Sequence, residues 1–238
     1  MDIVNFSQLK VTVGFENEIR DEIVKSIISN EKTFIVTLNA SILLRALKDG
    51  YYRNVVNNAT YIIPDGSGIV WALKRNRNIL TDRITGIDTM LYLCEKSKEY
   101  NWKVYLLGAK PKVIEEAAEK LKNNGVNVVG FHHGYFSFDD KSVSEEIERL
   151  KPDLVFVGMG VPRQEEWIFN NFSLPFKFAM GVGGSFDVIS GLKKRAPLFF
   201  QKMKLEWFYR WLQSPIKKRH VPFEIIKYTY LVLRGKIK

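Results

Sequence analysis

Cysteine is almost missing from this 238-residue chain: Cys94 stands alone, so no disulfide framework can form and the sequence points to a reducing compartment. Cys94 sits in the apolar helical stretch Met90 to Tyr100 with no histidine near it, which reads as a buried small hydrophobe rather than a nucleophile. Histidine is nearly as scarce, and His132 and His133 are adjacent, a spacing that suits a strand end better than a metal site. No D-x-D triplet occurs, so no obvious carboxylate pair holds a metal against a diphosphate. G-x-x-x-x-G-K-[ST] is also absent, and GMGVPRQ carries Arg163 where G-x-G-x-x-G needs its third glycine, which weakens the P-loop and dinucleotide readings. Apolar runs fall far short of the roughly 20 residues of a membrane-spanning helix. The start, MDIVNFSQLKV, has no basic segment followed by an apolar one, so no secretory signal is expected. The expected location is cytoplasmic, with any membrane contact peripheral.

Charge is present but unevenly placed. Residues 193 to 238 hold 13 of the 36 Lys and Arg and 2 of the 26 Asp and Glu, a net +11, which leaves the first 192 residues at −1. Such asymmetry calls for an anionic partner of the tail alone. The tail reads as helices over 202–213 and 222–233, rich in Trp, Tyr and Phe among Lys and Arg. Helices of that kind suit the headgroup boundary of an anionic bilayer; the competing reading is that they pack on the body. A nucleic-acid module, with the tail gripping phosphates and stacking bases, is the alternative from a different class. It gives the neutral body no role, so no nucleic acid is expected as a partner.

The body, residues 1 to 192, alternates short apolar runs (33–38, 61–64, 103–108, 126–131, 154–158 and 176–182) with segments of 3.6-residue spacing such as Ile19, Ile23 and Ile27. Runs apolar on both faces predict a parallel sheet sandwiched by helices, a Rossmann-like α/β fold, with a basic helical appendage from 193 to 238. Ligands of such sheets bind beyond the carboxyl ends of the strands. The residues there are Thr37 and Asn39, then Asp65, then Gly108, then Gly158 to Gln164, then Gly181, Gly183, Gly184 and Asp187. Glycines at strand-to-helix turns let backbone N–H groups approach a phosphate, so a nucleotide is a plausible ligand, although each glycine alone is an ordinary turn residue. Asp65, behind Pro64 and before Gly-Ser-Gly, reads equally as a general base or as a cap for the helix starting near Ser67. Arg83 reads as a phosphate ligand or as a partner of a carboxylate.

As an ordered set, TLNA (37–40), PDGSGIVWA (64–72), TG (85–86), LLGA (106–109), GMGVPRQEEW (158–167), GVGGSFD (181–187) and RAPLFF (195–200) resemble the WecG/TagA/CpsF glycosyltransferase family across essentially the whole chain. The resemblance implies a metal-independent, inverting transferase that moves an N-acetylhexosamine from a UDP-sugar to a polyprenyl-diphosphate-linked acceptor at the cytoplasmic membrane face. For the branch that builds wall teichoic acid linkage units it implies UDP-N-acetylmannosamine as donor and N-acetylglucosaminyl-diphospho-undecaprenol as acceptor; UDP-N-acetylmannosaminuronic acid and UDP-glucose are the other donors of the family. By the same resemblance Asp65 is the base, and Thr37, Asn39, Arg83 and Gln164 are pocket residues. Gly108, Gly158, Gly183, Gly184 and Asp187 line the nucleotide. Arg210, with Lys217 and Arg219 from the appendage, neutralises the diphosphate. The run Lys217, Lys218, Arg219, His220 departs from the arginines expected there, and lysine lacks the bidentate fork of arginine. An apolar appendage left undocked would also expose core surface for self-association into a homo-oligomer.

Overall fold

The computed structural model describes residues 1–216 and 219–238, with the side chains of Lys202 and Arg210 outside the description. Eight strands form one sheet: β1 (Asp2–Phe6), β2 (Leu9–Val13), β3 (Thr33–Leu38), β4 (Tyr61–Pro64), β5 (Val104–Gly108), β6 (Val128–His132), β7 (Leu154–Gly158) and β8 (Phe178–Gly181). Their spatial order is β1-β2-β4-β3-β8-β7-β5-β6. Every neighbouring pair is parallel except the β1–β2 hairpin.

Strands β3, β4, β5, β7 and β8 are buried at every position, so their side chains alternate between two apolar layers. Phe34, Val36, Ile62, Tyr105, Val155 and Ala179 face one layer; Ile35, Ile63, Leu106, Phe156, Phe178 and Met180 face the other. The first layer is covered by α2 (Ala40–Lys48), α3 (Gly50–Asn57), α4 (Ser67–Arg77), α7 (Ser142–Leu150), α8 (Arg163–Asn170) and α12 (Val221–Leu233). The second is covered by α1 (Glu16–Ile28), α5 (Gly86–Tyr100), α6 (Pro111–Asn123) and the short α9 (Ser185–Ile189). The expected helix-covered parallel sandwich is thus the observed fold, and Cys94 lies buried in the second layer.

Three local features differ from the sequence reading. The hairpin β1–β2 adds an antiparallel edge; its turn places Ser7 and Gln8 at φ 51° and 68°, the left-handed pair a two-residue hairpin needs. Helix α3, absent from the sequence reading, is capped by Asp49, whose Oδ1 accepts the Tyr52 N–H at 3.0 Å. The helix expected over 202–213 is the shorter α11 (Glu206–Leu212), and an unexpected helix α10 (Leu198–Lys202) precedes it; Lys204, at a left-handed φ of 62°, separates the two.

Helix α12 packs on the body along one stripe. Tyr228 and Val232 are buried, and the Tyr228 hydroxyl donates to the Gly68 carbonyl at 2.9 Å. Asn76 Nδ2 donates to the carbonyls of Val232 and Ile237 at 3.1 and 2.6 Å, and Ser41 donates to Glu224. The opposite stripe, Phe223, Ile226, Tyr230 and Leu233, is more than half exposed. Among the described residues no helix is long and apolar enough to cross a membrane.

Candidate functional site

The carboxyl ends of the strands line up along one edge in the order β4, β3, β8, β7, β5, β6. At the β4–β3 end the Leu38 carbonyl accepts the N–H groups of both Asp65 (3.0 Å) and Gly66 (3.1 Å), which wraps the turn after β4 around the tip of β3. Gly66 is the N-cap of α4, so Asp65 lies one residue before the cap. A side chain at Gly66 would come within 3.3 Å of the Asn39 backbone, so the turn is in van der Waals contact with β3's exit. Asn39 itself caps α2, its Oδ1 accepting the Ile42 N–H at 3.1 Å. Thr37, buried, donates to the Gly181 carbonyl at 3.1 Å and so ties β3 to β8.

Arg83 closes this end. Its Nε donates to the Asp65 carbonyl at 2.7 Å and a terminal nitrogen pairs with Glu206 at 2.5 Å. Of the two readings open for Arg83, pairing with a carboxylate is what the structure displays, and the carboxylate comes from α11 of the appendage. Glu206 went unnoticed in the sequence; the available signal was that it is one of only two acids in the tail. A second pair ties the start of the tail to the body: Arg195 reaches Asp88 at 2.6 Å, and Thr85 also donates to that carboxylate. Burial alone would raise the Asp88 carboxyl, but the hydrogen bonds from Arg195 and Thr85 and the nearby guanidinium charges together hold it below the usual carboxylate range.

At the other end three turns meet backbone to backbone. Gly108 has φ 135°, and a side chain there would lie 2.4 Å from the Gly158 carbonyl oxygen. One at Gly158 would lie 2.6 Å from the Phe186 ring and 2.8 Å from the Gly183 carbonyl. Ala109 N–H donates to the Gly158 carbonyl and Gly134 N–H to the Ala109 carbonyl, both at 3.0 Å. Beside them opens a cleft of ≈ 540 Å³ lined by Ala109, Gly134, Tyr135, Met159 and Arg163. Arg163 donates to the Phe136 carbonyl at 2.9 Å and lies 4.9 Å from the Phe138 ring centre. Gly183, at φ 52°, faces open space, and Gly184 caps α9. Asp187 turns to Lys193, 2.5 Å away.

Between the two ends lies Gln164, buried, its Oε1 accepting from Gly160 and Gly183 and its Nε2 donating to Glu165. Glu165 is fully buried, and burial pushes its carboxyl up to about 7 against the hydrogen bonds from Gln164 and Tyr52 that favour the charged form. Thr37, Asn39, Asp65 and Arg83 thus form one group at β4 and β3; Gly183 and Gly184 after β8, Gly158 after β7 and Gly108 after β5 follow along the same edge, so that Asp65 and Gly108 stand four strand spacings apart. At about 4.8 Å per strand the separation is about 19 Å. Arg219 is exposed in the turn before α12. Lys217, Lys218 and the Arg210 side chain, expected at the diphosphate, lie outside the described residues. The His132 and His133 rings lie 4.4 Å apart, tilted by 50°, and no group of His, Cys, Asp or Glu among the described residues is arranged to hold a metal ion.

The sequence model of the glycosyl transferase WecG/TagA/CpsF family matches residues 4–238. Similar curated proteins come from Staphylococcus aureus and carry the name N-acetylglucosaminyldiphosphoundecaprenol N-acetyl-beta-D-mannosaminyltransferase. The one from strain MRSA252 is 42% identical over 194 residues, covering 79% of this chain and 76% of the relative. The one from strain MW2 is 41% identical over 198 residues, covering 81% and 78%.

Proposed function

Because the chain belongs to the WecG/TagA/CpsF glycosyltransferase family, we propose that it moves N-acetylmannosamine from UDP-N-acetylmannosamine to the 4-hydroxyl of N-acetylglucosaminyl-diphospho-undecaprenol, with Asp65 as general base. The observation that carries this reading is the placement of a carboxylate and a glycine-lined cleft at opposite ends of one strand edge. Their separation of about 19 Å suits an extended nucleotide-sugar. The uridine lies toward the cleft beside Tyr135, the diphosphate crosses the turns at Gly158, Gly183 and Gly184, and the sugar ends by Thr37 and Asn39. Inversion requires in-line attack by an acceptor hydroxyl, and a positioned carboxylate that takes its proton makes that hydroxyl a competent nucleophile.

The leaving diphosphate needs positive charge where it develops. In this reading Arg210, Lys217 and Arg219 of the appendage supply it without a metal, the arrangement suggested by the missing D-x-D. The exposed stripe of α12 with Leu198, Phe199 and Ile216 offers apolar side chains among basic ones, a surface suited to peripheral seating on an anionic bilayer that displays the lipid-linked acceptor, on its cytoplasmic side. The name carried by the staphylococcal relatives favours mannosamine over the other donors.

The test is UDP release from a panel of UDP-sugars with a lipid-diphosphate-GlcNAc analogue. Only UDP-N-acetylmannosamine should turn over, with and without EDTA, and Asp65→Asn should lose about 10²–10⁴-fold in kcat with an unchanged melting temperature. Undiminished turnover by that variant removes Asp65 as the base. A strict metal requirement removes the cationic reading of the leaving group.

A further inference from the structure

Two backbone N–H groups from different turns, Gly160 after β7 at 3.2 Å and Gly183 after β8 at 3.0 Å, converge on one side-chain atom of Gln164. Only an oxygen accepts both, so this atom is Oε1 and Nε2 must face away. Nε2 meets Glu165 Oε1 at 2.6 Å, and Glu165 Oε2 accepts the Tyr52 hydroxyl at 3.0 Å. Strand β8 is built to let the pair pass: a side chain at Gly181 would lie 2.6 Å from Gln164 Nε2 and 3.2 Å from Glu165 Oε1. An amide is nearly symmetric in shape, so what fixes its orientation is the group that faces it. Flipped, Gln164 would set N–H donors against N–H donors, and the two turns would lose their common acceptor.

We infer that Glu165 is a positioning residue for the nucleotide. Through Gln164 it holds the turns after β7 and β8 at the spacing in which Gly158, Gly183 and Gly184 receive a diphosphate. The inference rests on the nucleotide reading above and adds to it a residue that touches no ligand. It also gives Gln164 a different task from contact with the sugar: its carbonyl oxygen serves the turns.

The probe is UDP, titrated calorimetrically into the full-length protein. Glu165→Met keeps the length and removes both acceptor oxygens. Glu165→Gln keeps an acceptor for Gln164 and offers an amide to the Tyr52 oxygen. E165Q should bind UDP within about threefold of the parent, and E165M about tenfold more weakly. Parental affinity in E165M, or equal loss in E165Q and E165M, overturns the inference. Should E165M fail to fold, Glu165→Asp, which withdraws the acceptor from Gln164 by one methylene, decides: a loss of about tenfold supports the inference, and parental affinity overturns it. A parent that does not bind UDP overturns the nucleotide reading and this inference with it.

Discussion

Replacing Glu165 by glutamine should change how the stability of this protein depends on pH. In the fold the carboxyl is raised from 4.5 to about 7, chiefly because it is buried, with Glu166 adding to the rise and the hydrogen bonds of Gln164 and Tyr52 opposing it. The charges around it are few: Tyr52 faces it from α3, Arg45 lies 5.5 Å from the Tyr52 ring, and Glu166 follows it on α8. The folded carboxyl holds its proton more tightly than the unfolded one, so the contribution to stability is full below about pH 4.5 and declines until the pH passes about 7. Between pH 5 and pH 8 the loss comes to about 2–3 kcal/mol, at 1.36 kcal/mol per unit of differential proton affinity. Glutamine has no proton to lose there. Urea unfolding of the parent and of E165Q at both pH values removes every other titrating group from the comparison by difference. The parent should lose about 2–3 kcal/mol more than the variant between the two pH values. Equal slopes for the two proteins would show that Glu165 is ionised in the fold as easily as in the unfolded chain, and the argument from burial would fail.

Other predictions concern packing and accessibility. Gly158→Ala drives a methyl group to within 2.6 Å of the Phe186 ring and 2.8 Å of the Gly183 carbonyl; it should cost about 1–3 kcal/mol in a denaturant titration, and an unchanged midpoint would mean the turns part without strain. Tyr228→Phe leaves the Gly68 carbonyl without its donor and should cost about 1 kcal/mol by the same measurement; no loss would show that this bond contributes nothing to seating α12. The Cys94 thiol, pushed up to about 12 mainly by burial, should not react with a thiol reagent at pH 8 in the native protein and should label fully once unfolded; rapid native labelling would contradict its burial.

How far the fold was legible follows from where its information lies. Runs such as TFIVTL and VYLLG are buried on both faces, so apolar continuity alone announced a covered parallel sheet and the edge on which ligands gather. The hairpin was not announced, because Ser7 and Gln8 adopt left-handed backbone without the Asn-Gly signature of such turns. The break between α10 and α11 was hidden for the same reason, since Lys204 supplies the left-handed residue that glycine usually provides. Glu165 reads in sequence as one of two acids on a helix surface, and its partner Tyr52 is 113 positions away. Nothing local to GMGVPRQEEW could show that the first acid points inward and the second does not. Arg83 carried two readings until Glu206, 123 positions further on, was seen beside it.

The bond from Tyr228 to Gly68 joins the appendage to α4 one residue into that helix, three residues after Asp65. Helix α12 is thereby tied to α4 through a side chain at the centre of its buried stripe. A tilt that settled Phe223, Ile226 and Tyr230 deeper into an apolar medium would bear, through that phenol, on the first turn of α4, next to the backbone that Arg83 and Leu38 hold on either side of Asp65. The helix is a lever with a short arm, and the carboxylate sits beside its fulcrum.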